Sequence, residues 1–133
     1  MWGLVGVQNS LRRLTASLRR RLFTVDEERD VLCGEAATSR AILTRLHYLV
    51  DETQPGDTVV IALIGHGLLV GDPGADPETM ARSTVQVFIP SDVDTSTPED
   101  CHVITGLDLS KMLWTWSVTG SESPDLLLLR IYR

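Results

Sequence analysis

The stretch Thr58-Val59-Val60-Ile61-Ala62-Leu63-Ile64-Gly65-His66-Gly67 decides how this sequence is read. After Thr58 it is continuously apolar and rich in branched side chains, with no polar alternation. A strand of that composition is covered on both faces, as in a parallel sheet flanked by helices. The run ends in Gly65-His66-Gly67, which puts His66 at the carboxyl end of a buried strand, where open α/β sheets place their ligands. The glycines let the backbone turn sharply and approach a substrate, and the Gly67 amide can face a developing oxyanion. Spacing alone does not make a histidine after a strand catalytic; the surrounding pattern has to carry that weight.

Upstream, Gln54-Pro55-Gly56-Asp57 reads as a turn. Before it lies a helix capped by Thr38, with Ile42, Leu43, Leu46, Leu49 and Val50 on one stripe opposite Arg40, Thr44 and Arg45; His47 is an ordinary, partly exposed member. A short strand is expected over Arg29 to Leu32, and an amphipathic helix over Ser10 to Phe23, capped by Asn9 or Ser10. Leu4, Val7, Leu11, Leu14, Leu18 and Leu22 form its apolar stripe. Downstream, Gly71 to Ser83 reads as an exposed loop and Val85 to Ile89 as a strand, ending in Pro90-Ser91-Asp92 with Asp92 in a turn-capping role. A second loop covers Thr95 to Asp100. A helix follows over Ile104 to Trp116, with Asp108 or Ser110 near its start and Leu107, Leu109, Met112 and Leu113 supplying apolar contact; Trp114 and Trp116 either cover the sheet edge or stay exposed. Leu126 to Leu129 reads as a second buried strand. Helices alternating with buried strands give the class α/β with a mainly parallel sheet.

A length of 133 residues with 43% apolar content fits a single domain spanning 1–133, whose first 25 residues form the N-terminal amphipathic helix region. The net charge is −6, and five of the twelve basic residues (Arg12, Arg13, Arg19, Arg20, Arg21) precede the first acid, Asp26. The acidic remainder offers no basic face to nucleic acid. The acid-free start has the composition of a mitochondrial transit segment, and its helical spacing is also that of a surface helix docking on a core. Cys33 and Cys101 lack metal-ligand or redox spacing, and no apolar run approaches the ~18 residues that span a membrane. A reducing cytoplasmic or nuclear setting, without a membrane, is the expectation.

The order of helix, Pro55-Gly56-Asp57 turn, apolar strand, Gly65-His66-Gly67, loop, strand ending Phe88-Ile89-Pro90-Ser91-Asp92, helix and apolar strand resembles the caspase and metacaspase family of cysteine peptidases. The resemblance covers roughly residues 31–129. It implies a caspase-like three-layer sandwich, incomplete at its carboxyl end, and a peptide or protein substrate with no cofactor. By resemblance, His66 assists a cysteine thiolate and Gly67 lends an oxyanion-hole amide. Some metacaspases respond to calcium, which raises Asp72, Asp76 and Glu78 as oxygen ligands; three carboxylates without ordered spacing read instead as a solvated loop, and no metal is expected.

The sequence departs from the family where the nucleophile belongs. After Leu129 it runs Arg130-Ile131-Tyr132-Arg133, with Arg130 where the family's aspartate and Tyr132 where its cysteine are expected, and a phenol of ordinary acidity is no thiol equivalent. Ile64 stands where many relatives carry a small or polar residue. A wrongly read last exon would leave the same trace as genuine loss. Cys101-His102 reads as a chance neighbour pair in a polar loop, and Cys33 as a small packing residue. Two functions follow: a cysteine-type endopeptidase domain, inactive here for want of its cysteine, or a non-enzymatic pseudoprotease module that pairs with another caspase-like chain through a sheet edge or exposed helices.

Overall fold

The computed structural model describes residues 6–71, 84–119 and 125–131. In chain order the elements are α1 (Val7–Arg20), α2 (Glu27–Asp30), α3 (Ser39–Glu52), β1 (Thr58–Ile64), β2 (Gly67–Gly71), β3 (Thr84–Phe88), β4 (Ile104–Thr105), α4 (Gly106–Thr119) and β5 (Asp125–Ile131); single 3-10 turns occupy Gly34–Ala36 and Val93–Thr95. The class is mixed α/β.

The apolar run forms β1 over the residues expected, and it pairs in parallel with β5, from Thr58 opposite Asp125 to Ile64 opposite Ile131. Branching at Cβ suits Val59, Val60, Ile61 and Ile64 to the pleated backbone. Side chains alternate along a strand, so Val59, Ile61 and Leu63 share a face. On that face they meet Ile42 and Leu46 of α3, Ile104 of β4, and Met112, Leu109 and Leu113 of α4 in the main core. Packing there is close: the void among Leu46, Val50, Ile61, Leu109, Met112 and Leu113 measures about 10 Å³, no more than one water would need.

Local chemistry sets the helix ends. Thr38 Oγ1 accepts the Ala41 amide at 3.2 Å to start α3, and Thr53 closes it by donating its hydroxyl to the Leu49 carbonyl at 2.6 Å. The turn before β1 forms as its sequence demands: Gly56 takes φ +91°, and the Gln54 amide donates to Asp57 Oδ2 at 2.9 Å. Helix α4 opens on a reciprocal cap, in which Asp108 Oδ2 accepts the Thr105 amide at 3.0 Å while Thr105 Oγ1 accepts the Asp108 amide at 3.0 Å.

Several expectations are corrected. The strand expected over Arg29 to Leu32 is a helical turn, because Asp26 caps the Glu28 and Arg29 amides; only from Val31 does the backbone extend. Helix α1 begins at Val7 behind Gly6, with no side-chain cap from Asn9 or Ser10, and it ends at Arg20 rather than Phe23. Leu22 does not complete the apolar stripe: it is 93% exposed, in the left-handed region at φ +67°. The sheet is divided: β1 and β5 are its parallel part, while β2, β3 and β4 form a separate antiparallel sheet. Gly67-Leu68-Leu69-Val70-Gly71, given no strand in the sequence reading, is β2. Ile104 and Thr105 pair with β3 before α4 begins, so the helix starts two residues late. The loop expected over Gly71 to Ser83 lies, from residue 72, outside the described residues, as does Leu4.

The α1 terminus yields a prediction. The Phe23 amide reaches the Leu18 carbonyl at 3.0 Å and the Leu22 amide the Arg19 carbonyl at 3.0 Å, a pattern that normally places glycine in the left-handed residue. The exposed Leu22 side chain therefore strains the turn and contributes little packing. Leu22→Gly should stabilise the fold by about 1 kcal/mol, read as a rise in the urea midpoint at constant slope. A fall in the midpoint would refute the assignment.

Candidate functional site

His66 is reached through one residue, Gly65, from the carboxyl end of β1, and it is half-buried. Glycine suits position 65: a Cβ there would lie 3.0 Å from Cε2 and Cζ of Phe88, tighter than most real contacts, so the ring would have to give by a few tenths of an ångström. The ring of Phe88 thus sets the course of the chain as it leaves β1. The next tie is the Ile89 amide, which donates to the His66 carbonyl at 3.0 Å and extends the β2–β3 ladder beyond Gly67 and its partner Phe88. Hydrogen-bonding direction alternates along an antiparallel strand, so a His66 carbonyl bound to β3 leaves the Gly67 amide directed away from β3. Since β1 and β5 run parallel and in register to Ile64 and Ile131, the carboxyl end of β5 comes out beside the end of β1. Arg130 lies within β5, opposite Leu63; Tyr132 lies outside the described residues.

Cys101 is exposed, and its neighbour His102 is committed elsewhere. His102 Nδ1 lies 3.1 Å from the Asp92 carbonyl, 2.9 Å from Thr95 Oγ1 and 3.4 Å from Asp92 Oδ2, and Nε2 lies 3.2 Å from Asp100 Oδ2. The Thr95 hydroxyl already donates to the Asp92 carbonyl at 2.7 Å, which leaves only acceptors opposite both ring nitrogens. That environment favours the imidazolium, and the bonds to the Asp92 carbonyl and then the Asp100 carboxylate hold the His102 pKa above its ordinary value. The backbone is clasped too, the His102 amide donating to Ser96 Oγ at 2.9 Å.

Asp92 serves both sides of this cluster. Its Oδ1 accepts the Ser39 amide at 2.8 Å and its Oδ2 the Ser39 hydroxyl at 3.0 Å, so it caps α3 across 53 residues of sequence. The Ser91 amide adds a bond to the Ala37 carbonyl at 2.9 Å. Sequence reading gave Asp92 only a local turn. No spacing rule announces a cap donated from so far along the chain, and Ser39 is buried where the sequence showed an ordinary first helical residue.

Of the remaining candidates, Cys33 is partly buried at the amino end of the Gly34–Ala36 turn, His47 is exposed on α3, and Trp114 is 71% exposed. Asp72, Asp76 and Glu78 lie outside the described residues, as does the side chain of Trp116. Among the described residues no group of three or more histidines, cysteines and carboxylates could hold a metal, and no helix is long and apolar enough to cross a membrane. Comparison with protein-family models, with curated proteins and with solved structures found no match to this chain.

The clasp around His102 makes stability depend on pH. Its folded pKa is raised, so its contribution is full below the ordinary value of about 6.5 and is lost as pH climbs through the higher folded value. Asp92 and Asp100 are the titratable groups that face the ring. The denaturation midpoint of the native chain should therefore fall, relative to that of His102→Gln, as pH rises above about 6.5. Parallel pH profiles would refute the clasp.

Proposed function

We propose that this chain carries the histidine half of a caspase-like cysteine peptidase domain, within a three-layer sandwich. One observation carries the reading: His66 follows β1 at the end where the parallel neighbour β5 also terminates. A nucleophile placed just beyond β5 would stand beside that histidine, the arrangement that a thiol–imidazole pair needs. In that chemistry the imidazole takes the thiol proton, the thiolate attacks the peptide carbonyl, and the imidazolium returns the proton to the departing amine. An amide directed away from β3 at Gly67 can then stabilise the oxyanion. With acceptors opposite both ring nitrogens, which favour the protonated ring, His102 is the wrong partner for Cys101, because a general base must begin neutral.

The sequence has Tyr132 where that nucleophile belongs, so peptide hydrolysis by this chain is expected to be negligible. A direct test is to install the thiol. In Tyr132→Cys, the rate of alkylation by iodoacetamide against pH should report a thiol more acidic than the ordinary value near 8.5, and the shift should vanish when His66→Ala is added. An unshifted thiol in a variant that folds as the native chain does would refute the pairing of the two strand ends.

The second reading is a pseudoprotease module that pairs with another caspase-like chain. The observation that favours it is β2, a sheet-edge strand whose Leu68, Leu69 and Val70 are 56%, 65% and 40% exposed. An apolar edge of this kind invites strand pairing. Size-exclusion chromatography of the native chain discriminates: concentration-dependent association abolished by Leu69→Lys supports the module, and a monomer at every concentration removes it.

A further inference from the structure

Among the described residues β1 has a single neighbour, β5, so the backbone amides and carbonyls that point the other way form an open edge. A cavity of about 400 Å³ lies against this strand and touches all seven of its residues, from Thr58 to Ile64. Successive strand residues face opposite ways, so a cavity in contact with every one of them runs along the edge and is not confined to one face. Its other walls agree. Leu46 and Leu49 come from α3, which packs on the Val59–Ile61–Leu63 face, and Leu14 and Leu18 come from α1, none of whose described residues joins that core. Val31 and Cys33 line it as well, with extended backbone (φ −116°, ψ 122° and φ −138°, ψ 148°).

We infer that this cavity is a strand-addition slot, which takes an extended, uncharged, apolar segment of another polypeptide as a further strand on the free edge of β1. Three observations select that occupant. The walls are mainly apolar, aliphatic side chains of α1, α3 and β1 together with Phe23 and Phe88, as the interior of a sheet sandwich requires. The charged residues that reach the cavity, Arg29, Asp30, Arg45 and Glu52, sum to zero, and Arg29 is already paired with Asp30 at 2.8 Å, so no charge on the occupant is called for. Most decisive is the edge itself. A purely hydrocarbon ligand would fill the volume but leave the outward amides and carbonyls of a half-buried strand without partners, at roughly 1–3 kcal/mol each. A peptide backbone satisfies them and places its side chains alternately toward α1 and α3, which is how a strand is recognised by an open sheet edge. About five residues, the usual strand length, would cover the edge. This inference does not depend on the chemistry of His66, which lies beyond the strand's end.

The test uses the native chain and three probes: a soluble peptide with a central run of five alternating Val and Ile residues flanked by lysines, the same peptide N-methylated at alternate residues of the run, and decanoate. Hydrogen–deuterium exchange is read at the amides of Thr58 to Ile64. The expected result is that the plain peptide slows alternate amides of β1 by at least about tenfold, and that the methylated peptide, unable to donate along one edge, does not. His66→Ala should leave this protection unchanged, so failure of the peptidase reading and failure of the slot are told apart. Equal protection by both peptides, or by decanoate in place of either, would overturn the inference in favour of an apolar ligand. Protection that rises with the concentration of the chain alone would overturn it in favour of a second copy.

Discussion

The fold turns on a single demand: a seven-residue strand with apolar side chains on both faces has to be covered above and below and paired along its edges. Burial of each branched side chain is worth roughly 1.5–3 kcal/mol, and each unpaired backbone group in the interior costs roughly 1–3 kcal/mol. Faces and edges therefore weigh about equally, and β1 meets these demands unevenly. Its odd-numbered face is closely packed under α3 and α4, and one edge is taken by β5. Along the other edge lies a cavity shared between α1 and α3. The strand that anchors the core thus also borders a cavity.

A second constraint holds the loops to this core. Asp92 carries a carboxylate whose two oxygens cap the start of α3, while its backbone carbonyl receives the ring of His102 and the hydroxyl of Thr95. One residue therefore joins the helix that covers β1 to the segment that leads into β4, where Ile104 is 1% exposed and completes the core. Charge-assisted bonds of this type are stronger than neutral ones, and at an α-helix amino terminus the carboxylate also faces the positive end of the peptide dipoles. The loop after β3 is consequently a structural strut, with its conformation fixed at both ends.

What could be read from the sequence was whatever the chain encodes within a few residues of itself. Thr38 as a cap, the Gln54–Asp57 turn and the bounds of β1 all rest on contacts between near neighbours, and all are found. The reading failed where a local signal was outvoted or absent. Residues 29–32 look strand-like, but an Asp26 cap turns Glu27–Asp30 into a helix. Gly67 to Gly71 shows no local strand pattern and received no strand; it becomes one through pairing with β3, a partner that periodicity cannot name. The position of His66 at a strand end was legible. The close contact that favours glycine at 65, with the ring of Phe88, is a tertiary one and left no trace in spacing.

The two histidines that sequence reading singled out differ in place and in what holds them. An imidazole that activates a thiol must be neutral at the outset, with one nitrogen able to accept. His102 faces acceptors on both nitrogens, and its surroundings stabilise the imidazolium, so its proximity to Cys101 in sequence has no chemical consequence. His66 is held instead through its backbone, by Ile89 on one side and by the Gly65–Phe88 contact on the other. These ties fix its Cα against the end of β1. The backbone that carries His66 is thus placed by the sheet itself, at the end of β1 and beside the end of its parallel neighbour β5, as the strand register sets it.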